Sequence, residues 1–543
     1  MKWAYTSAVI PTKLDEVKEI LLKNRSIEDT DTFFSPLHPN DLTYAACNLD
    51  EKQIKKVHKR LEKAKASAEK VVIFGDYDAD GITATAIVWL ALKEFGITAQ
   101  PFIPLRDTHG YGLSIGALEE VIAIHNPSVV ITVDNGIVAH EAADFLADKG
   151  IDLLLSDHHQ PEKKLPKATA VVHSTSLCGA TVGWMMIREL VSKEYAESLL
   201  DLAGIGTIAD QVPLTDSNRA FAYHGVAALR TTKRRGIRSL LATAKSDQRL
   251  LTSTTVGYLL APRINAMGRL AHGMDALRLL CSQNPAQVAK LTTLLTETNS
   301  ERQDLTRDLF EEALEKAKEQ SEEHVIIVYS ENYHEGIIGL IAGRLMERFW
   351  KPVIVLSVAK TTAKASVRSI PGIHITDFLR NFKEQMTSLG GHPMAAGFGV
   401  ENTKLEALVA AIQKKARKAI STDILEQMLT VECQLSKELA SLALLQVLEA
   451  FAPFGAANPY PVFALHDLEV ASAKSMGKDG THLVVTLSTA EDSYPLKVIG
   501  WRQARRLDQF EVGSKVTIAG YFEKNVWRDK EYLQFILKDV QQV

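Results

Sequence analysis

The sequence lacks the features of a membrane or secreted protein. No apolar run reaches the roughly 18 residues that a bilayer-spanning helix needs. The first residues, MKWAYTSAVIPTKLDE, contain no extended apolar stretch, so we expect no signal peptide. The four cysteines lie far apart, without the spacing of a zinc or redox motif: Cys47, Cys178, Cys281 and Cys433. Isolated thiols suit a reducing compartment, and we therefore expect a cytoplasmic protein with no membrane partner.

The sequence also lacks an excess of positive charge. It has 62 lysines and arginines against 66 acidic residues, a net charge of -4. A protein that only coats nucleic acid is often strongly basic. An enzyme with a carboxylate-rich site can be nearly neutral and still present a basic track. The net charge therefore neither indicates nor excludes a nucleic-acid substrate.

The 543 residues contain alternating strand and helix patterns, followed by a pattern of strands alone. Short apolar runs (VVIF, VVITV, DLLLS) alternate with helical segments, which predicts a parallel sheet covered on both faces. Five short alternating strands after Pro461 predict a small barrel of the OB-fold type. We predict an N-terminal region (1–50), an α/β domain (51–225), a helical connector (226–320), a second α/β domain (321–425), and a linker helix with the barrel (426–543).

Acidic residues follow three of the predicted strands. They are Asp76, Asp78 and Asp80 after VVIF, Asp134 after VVITV, and Asp157 with His158 and His159 after DLLLS. A further acid, Asp210, ends the segment AGIGTIAD, which we interpret as a glycine-rich turn. Because the carboxyl ends of parallel strands meet at one edge of a sheet, these side chains are expected to converge there.

Clustered carboxylates repel one another unless a cation lies between them. Aspartates with one or two histidines are suitable ligands for Mn²⁺ or Mg²⁺, and two such ions would support phosphodiester hydrolysis. A single aspartate after a strand is more often a helix cap or turn residue. Acids after several separate strands, joined by a double histidine, are harder to explain as caps.

The motifs FGDYDADG, VDNG, SDHH and IADQVPL, in this order, resemble the four motifs of the DHH phosphoesterase superfamily. The segments FIPLRDTHGYGL, APRINAMGRL, YHEGIIGLIAGRL, ASVRSI and GGHPMAAGF narrow the resemblance to the RecJ family of single-stranded-DNA-specific exonucleases. The resemblance covers nearly the whole chain. It implies a DHH phosphoesterase domain, a DHH-associated α/β domain and a C-terminal OB-fold.

The resemblance implies a role for each matching position. Metal ligands are Asp76, Asp78, Asp80, Asp134, His158 and Asp210, with Asp134 as the bridge between two ions. Phe74 stands where many relatives have a histidine ligand, which leaves open whether Asp76 or Asp78 serves each ion.

Other positions match the parts of the family that act on the substrate. Candidate catalytic residues are His159, Asp157 as its orienting partner, Arg263, Arg269 and His392. Candidate substrate-binding residues are Arg106, Ser366 and Arg368, which match a 5′-phosphate pocket, and Tyr111, which could stack on a base. Structural ion pairs for the two catalytic arginines, core packing for Tyr111 and a buried hydrogen-bonded role for His392 remain the alternatives.

The expected function is therefore 5′→3′ degradation of single-stranded DNA to nucleoside 5′-monophosphates, with two Mn²⁺ or Mg²⁺ ions, in DNA repair and recombination. Expected partners are single-stranded DNA, a helicase and a single-strand-binding protein, and the enzyme is expected to be a monomer. Two alternatives remain: a phosphodiesterase for short oligonucleotides or cyclic dinucleotides, and a non-catalytic replication scaffold.

Overall fold

The N-terminal segment lies against the C-terminal part of the chain. The computed structural model describes residues 1–110, 112–477, 479–488, 495–527 and 530–542. The first elements are β1 (Lys2–Tyr5), α1 (Leu14–Asn24) and α2 (Thr30–Phe34). β1 pairs in parallel with a strand at Met428–Val431, and α1 buries Val17 and Leu21 in the C-terminal core. The sequence predicts α1 but not this pairing, because the partner strand lies at the opposite end of the chain.

The first α/β domain contains a five-stranded sheet that is parallel throughout. Its elements are α3 (Glu51–Ala66), β2 (Val71–Phe74), α4 (Ala79–Phe95), β3 (Ala99–Phe102), α5 (Arg106–His109), α6 (Ile115–His125), β4 (Val129–Val133), α7 (His140–Asp148), β5 (Asp152–Asp157), β6 (Ala170–His173), α8 (Gly179–Ile187), α9 (Lys193–Glu197), α10 (Leu200–Ala209) and α11 (Asp216–Thr231). The strand order is β3-β2-β4-β5-β6. Separate cores fill the two faces, which confirms the predicted doubly covered sheet.

The predicted turn before Asp210 is wrong, because residues 203–209 belong to helix α10. Its glycines serve close packing rather than chain reversal. A Cβ on Gly204 would lie 2.7 Å from the Cα of Gly225 on α11. Asp210 is thus the residue that ends a helix, whereas Asp76, Asp134 and Asp157 do lie at strand ends.

The connector is helical, as predicted. It consists of α12 (Arg235–Thr243), α13 (Ser253–Thr255), a π-helical turn (Val256–Leu260), α14 (Ala261–Leu270), α15 (Gly273–Cys281) and α16 (Pro285–Lys318). α14 packs between α4 of the first domain and α16, while the long α16 leads to the second domain. None of the helices in the described residues has the length and apolarity to cross a bilayer.

The second α/β domain has a mixed sheet of order β10-β11-β9-β8-β7. Its elements are β7 (Ile326–Ser330), α17 (Ile338–Phe349), β8 (Val353–Val358), β9 (Thr362–Arg368), α18 (Ile375–Arg380), β10 (Ser388–His392), β11 (Ala395–Glu401) and α19 (Asn402–Ala419). Only β7 and β8 pair in parallel among these strands.

The C-terminal domain is a closed five-stranded barrel, which confirms the predicted OB-type fold. Its elements are β12 (Met428–Val431), β13 (Cys433–Gln434), α20 (Leu442–Ala450), β14 (Phe463–Met476), β15 (His482–Ser488), β16 (Leu496–Gly500), β17 (Lys515–Trp527) and β18 (Lys530–Gln542). Pairing between β14 and β17, together with the parallel pair of β16 and β18, closes the barrel.

Candidate metal centre and nucleic-acid interface

Three groups of possible ligands meet at the carboxyl edge of the parallel sheet. They are Asp76 with Asp78 and Asp134, Asp80 with His158 and Asp210, and Asp134 with His158 and His159. Within each group the ligand atoms lie within 4.8 Å of one another. The first two groups together contain all six residues that the sequence predicts as metal ligands. Asp134 and His158 each belong to two groups, and Nε2 of His158 lies 3.1 Å from Oδ1 of Asp134, so these two residues connect the groups.

Asp134 is held in an unusual conformation, and one of its carboxylate oxygens makes no hydrogen bond to the described residues. Its φ is 63°, in the left-handed region, and only 2% of the residue is exposed. Its Oδ1 is buried without a hydrogen-bond partner in the described structure and lies 3.1 Å from Nε2 of His158. A buried carboxylate oxygen without a donor is costly unless a cation neutralises it. This oxygen therefore fits a metal ligand.

Asp80 is fixed by the start of helix α8. Its carboxylate accepts hydrogen bonds from the backbone N–H groups of Gly179 (2.6 Å) and Ala180 (2.9 Å). The site leaves no room for side chains at two glycines. A Cβ on Gly179 would lie 2.5 Å from Oδ1 of Asp134, and one on Gly206 would lie 2.6 Å from Oδ1 of Asp80.

Asp78 also caps helix α4, since its Oδ1 accepts from the N–H groups of Asp80 (2.9 Å) and Gly81 (3.0 Å). Asp78 therefore has the helix-capping role that a single aspartate after a strand usually has. Asp76 instead accepts from the adjacent N–H of Tyr77 (2.8 Å). Both carboxylates still belong to the ligand group that includes Asp134.

The carboxylates raise one another's pKa values. Burial, followed by the charge of Asp78, raises the pKa of Asp76 to about 8 and that of Asp80 to about 6. Burial and the charge of Asp80 raise the pKa of Asp210 to about 9 and hold that of Asp134 well above its usual range. Such shifts show that the cluster opposes full ionisation in the absence of a cation.

The two histidines have opposite electrostatic environments. Burial and the neighbouring His159 lower the pKa of His158 to about 4, which keeps its imidazole neutral and able to act as a ligand. Burial also opposes charge on His159, but the hydrogen bond and charge of Asp157 raise its pKa to about 9. Asp157 lies 2.8 Å from Nδ1 of His159 and also accepts from the backbone of Ile137 (2.8 Å).

The second α/β domain contributes His392 to this edge. Its ring is stacked 6.3 Å from that of His159, at an interplanar angle of 25°. Burial and the charge of His159 lower the pKa of His392. Side chains of both α/β domains therefore meet at the carboxyl edge of the parallel sheet, where the family resemblance places His392.

A set of arginines lies beside the acidic cluster. Burial, and then the charges of Arg106, Arg302 and Arg368, lower the pKa of Arg269 to about 10. Arg269 donates to the carbonyl of Gly336 (2.8 Å), just before helix α17. Arg368 donates to Oγ of Ser366 (3.3 Å) and to the carbonyl of Val367 (2.9 Å). Clustered guanidinium groups with a serine hydroxyl form a suitable phosphate site.

The predicted phosphate residues thus come together from two domains. Arg106 begins α5 in the first domain, and its guanidinium lies 5.7 Å from the ring centre of Tyr77. Ser366 and Arg368 lie on β9 of the second domain. A Cβ on Gly339 would lie 3.0 Å from Oγ of Ser366, so the start of α17 also approaches this group. Tyr111 lies outside the described residues.

Arg263 lies at the opposite end of α14 from Arg269. It donates to the carbonyl of Leu259 in the preceding turn (2.8 Å), while its Nε is buried without a hydrogen-bond partner among the described residues.

Two polar residues of this region, Asn265 and Arg302, were not predicted from the sequence. Oδ1 of Asn265 accepts from the N–H of Ala79 (2.7 Å) and so fixes the start of α4. Arg302 on α16 has a buried Nε without a hydrogen-bond partner among the described residues, and its charge reaches Arg269. Asn265 lies inside the segment APRINAMGRL, so the match of this segment to the family could have identified Asn265 as a functional candidate. Arg302 lies in a helix rich in charged residues and carries no such signal.

The C-terminal barrel contains aromatic residues that are candidates for stacking on bases: Trp501, Tyr521 and Trp527. Trp501 is 51% exposed and lies edge-on to His482, with ring centres 5.1 Å apart. Tyr521 is stacked on Tyr460 at 5.0 Å. The side chain of Trp527 is outside the described part of the structure.

The parallel sheet with carboxylates and a double histidine at its edge places the chain in the DHH class of metal-dependent phosphoesterases. Residues 70–207 match the family described as "DHH family, N-terminal domain", residues 322–418 the "DHHA1 domain", and residues 431–539 the "RecJ OB domain". The chain belongs to the RecJ family of single-stranded-DNA-specific exonucleases.

Relatives along the whole chain support this assignment. The RecJ exonuclease of Bacillus subtilis (strain 168) is 30% identical over 531 residues, covering 96% of this chain and 67% of the relative. The crystal structure of RecJ in complex with Mn²⁺ from Thermus thermophilus aligns with a TM-score of 0.83 and 25% identity, covering 100% of this chain and 80% of that one. A structure of exonuclease RecJ bound to manganese aligns with a TM-score of 0.60 and 30% identity, covering 70% and 97%.

Proposed function

We propose that this chain is a metal-dependent exonuclease that removes nucleotides from single-stranded DNA. The observation that carries the proposal is the pair of ligand groups that meet at Asp134, whose Oδ1 is buried without a hydrogen-bond partner in the described structure. Family membership supplies the substrate class, since the curated relatives are named single-stranded-DNA-specific exonucleases.

The donor set fits two divalent cations. One would be held by Asp76, Asp78 and Asp134, and the other by Asp80, His158 and Asp210. Asp134 also lies with His158 in a third group, and with the family resemblance this supports Asp134 as a ligand shared by both ions. The related structures contain Mn²⁺ or Mg²⁺, and carboxylates accept both ions, while imidazole favours Mn²⁺. Bound ions of this kind activate water and stabilise charge on the attacking and leaving oxygens.

The chain's own residues orient the phosphodiester and control the protons. In the hydrolysis a water oxygen forms a bond to phosphorus, the bond to the 3′-oxygen breaks, and that oxygen receives a proton. Asp157 holds the Nδ1 side of His159, so we assign the Nε2 side to the scissile phosphate. His392 approaches His159 from the second domain, so we assign it to the same phosphate as a second candidate catalytic histidine.

The arginine set gives the reaction its direction. Arg106, Ser366 and Arg368, with Arg269 beside them, would bind the terminal 5′-phosphate through charge-assisted hydrogen bonds. Such a pocket next to the metal centre places the first phosphodiester at the reactive edge, which gives 5′→3′ degradation to nucleoside 5′-monophosphates. Tyr111 is proposed to stack on the terminal base, on the strength of the family resemblance.

The cellular setting follows from the same features. A cleft between two domains suits one strand, so a helicase would have to supply single strands from duplex DNA, in repair and recombination. A single-strand-binding protein is a second proposed partner. We place the enzyme in the cytoplasm, which suits its four free cysteines. We propose a monomer, because one chain carries every group that the mechanism uses.

A substrate-length series with metal control tests this function against the small-substrate alternative. Wild-type protein is given 5′-phosphorylated dinucleotides and long single strands, with Mn²⁺, Mg²⁺ or excess EDTA. The account expects faster turnover of long strands with metal and none with EDTA. Equal or better turnover of dinucleotides would favour the small-substrate phosphodiesterase. Failure to bind Mn²⁺ in calorimetry would favour the non-catalytic scaffold.

A further inference from the structure

Tyr258 is an exposed aromatic residue on the connector, 82% accessible to solvent. It lies in the π-helical turn Val256–Leu260 between α13 and α14. Val256 and Leu260 are fully buried and anchor this turn, while Gly257 beside Tyr258 has open space around it. π-Helical turns are rare and often mark functional positions. The ring is therefore held on a fixed backbone and left largely uncovered by the described residues.

The position of Tyr258 is linked to the metal centre by one helix. Residues 265 and 269 are four positions apart and lie on one face of α14, and Tyr258 lies in the π-helical turn that leads directly into this helix. Asn265 on this face fixes the start of α4, and Arg269 belongs to the arginine set beside the acids. At a rise of about 1.5 Å per residue, Tyr258 lies roughly 16 Å along the helix from Arg269.

Arginine side chains lie between Tyr258 and Arg269. The guanidinium of Arg263 reaches back to the carbonyl of Leu259, the residue next to Tyr258. Burial, and then the charges of Arg344 and Arg263, lower the pKa of Arg302 on α16. Nε atoms of both Arg263 and Arg302 are buried without hydrogen-bond partners among the described residues. Such a row of arginines fits a phosphate backbone that runs from the metal centre toward Tyr258.

Tyr258 lies near the C-terminal barrel as well as near the connector arginines. Thr254, in the same helical segment, contacts the hydroxyl of Tyr460 at 3.0 Å. Burial, and then the nearby Glu523, Tyr460 and Tyr258, raise the pKa of Tyr521 on β17. Tyr460 and Tyr521 stack on each other, whereas Tyr258 keeps its ring exposed at the junction.

We propose that Tyr258 stacks on a base of the incoming single strand, several nucleotides 3′ of the scissile bond, where the strand passes from the barrel to the metal centre. This inference rests on the proposed function. The exposed ring provides a sequence-tolerant contact, and the arginine row accounts for the choice of a nucleic acid as its ligand. Tyr258 is a positioning residue and does not touch the reacting atoms.

The test compares Tyr258→Ala with wild type on two 5′-phosphorylated oligothymidylates, a trinucleotide and a strand of about 20 nucleotides, which exceeds the site of one OB-fold. Tyr258→Ala is expected to raise KM for the long strand about tenfold, or ~1.4 kcal/mol, with kcat unchanged. KM for the trinucleotide should not change, because it does not reach the ring. Tyr258→Phe should behave as wild type, since it keeps the aromatic face.

A matched control is Tyr223→Ala, which removes a tyrosine that is 40% exposed on α11 and should leave both KM values unchanged. Binding of the long strand to Tyr258→Ala should be weaker at every salt concentration, with the slope of log affinity against log salt unchanged, because no charge is lost. An unchanged KM for the long strand, or equal losses on both substrates, would overturn the inference. If wild type cleaves neither strand, the proposed function fails instead, and strand binding by Tyr258→Ala still tests the stacking.

Discussion

At the scale of single residues, the site depends on how Asp134 is held. The residue follows a fully buried strand and turns into the left-handed region, so its carboxylate points into the acidic cluster. Aspartate and asparagine adopt this conformation more readily than most residues. The conformation and the lack of a hydrogen-bond donor at Oδ1 among the described residues both suit a residue that contacts a cation rather than one that caps a helix.

Asp134→Asn is therefore expected to lower kcat by about a thousandfold, because loss of a shared ligand removes several kcal/mol of transition-state stabilisation. Binding of single-stranded DNA should change by less than about threefold, since the arginines remain. Single-turnover cleavage and fluorescence anisotropy measure the two quantities. Near wild-type cleavage by a correctly folded variant would contradict the shared-ligand assignment.

Arg368→Ala is expected to reduce the preference for a 5′-phosphorylated end over a 5′-hydroxyl end by about tenfold or more, as a charge-assisted contact is worth roughly 1.5–3 kcal/mol. Arg106→Ala should act in the same direction. The measurement is the ratio of kcat/KM for the two substrates. Arg380→Ala is the control, because Arg380 is exposed in the same domain and pairs with Asp377. An unchanged ratio in Arg368→Ala would remove this residue from the phosphate site.

The raised pKa values predict how metal binding depends on pH. Asp76 and Asp210 have pKa values of about 8 and about 9 in the folded metal-free protein, well above those in an unfolded chain. Because the folded state favours the protonated carboxyl groups, their contribution to the free energy of unfolding is complete below pH ~4. It is lost as the pH rises toward ~9 and the two groups ionise. A divalent cation replaces the protons, so it should raise Tm more at pH ~8 than at pH ~6. A smaller increase at the higher pH, in thermal melts with and without Mn²⁺, would contradict this.

At the scale of elements, close packing of α4, α8 and α10 brings the ligands together. Gly206 on α10 leaves space for Ala180 of α8 and the carboxylate of Asp80, since a Cβ there would lie 2.4 Å and 2.6 Å from them. These contacts explain why a glycine-rich segment forms a helix here. The local sequence resembles a turn, but burial of the helix between its neighbours overrides the low helix propensity of glycine.

Gly206→Ala is expected to lower the free energy of unfolding by about 1–3 kcal/mol through overpacking, and to weaken Mn²⁺ binding because Asp80 must move. Denaturant unfolding and calorimetry check both effects. Gly116→Ala is the control, since Gly116 lies in α6 with nothing within 4 Å of an added Cβ, and this change should be neutral or stabilising. Full stability together with wild-type metal affinity in Gly206→Ala would argue against the packing account.

Much of the fold and of the site was predictable because it depends on local signals. Runs of buried residues followed by aspartate mark strand ends, and parallel strands bring those ends to one edge. Pairing of β1 with β12 was not predictable, because no local pattern relates the two ends of a chain. Nor was Arg302, whose proximity to Arg269 depends on how two connector helices pack.

At the scale of the whole molecule, the two α/β domains and the connector meet at one edge of the parallel sheet, and the connector also contacts Tyr460 beside the barrel. Acids from the first domain lie beside a histidine of the second, which also contains Ser366 and Arg368 of the proposed phosphate site. The connector carries arginines and the exposed Tyr258 between this edge and the barrel. In the proposed function, hydrolysis depends on the first domain, whereas the choice and direction of the strand depend also on the second domain, the connector and the barrel.

The most direct test of this account is a time course on 3′-end-labelled, 5′-phosphorylated DNA, single-stranded or duplex, with Mn²⁺ or with EDTA. The account predicts that labelled single strands shorten progressively from the 5′ end with Mn²⁺, that blunt duplex DNA resists, that EDTA abolishes the reaction, and that Asp134→Asn slows it about a thousandfold. Immediate release of the labelled nucleotide, equal degradation of the duplex, or cleavage that survives EDTA would contradict it.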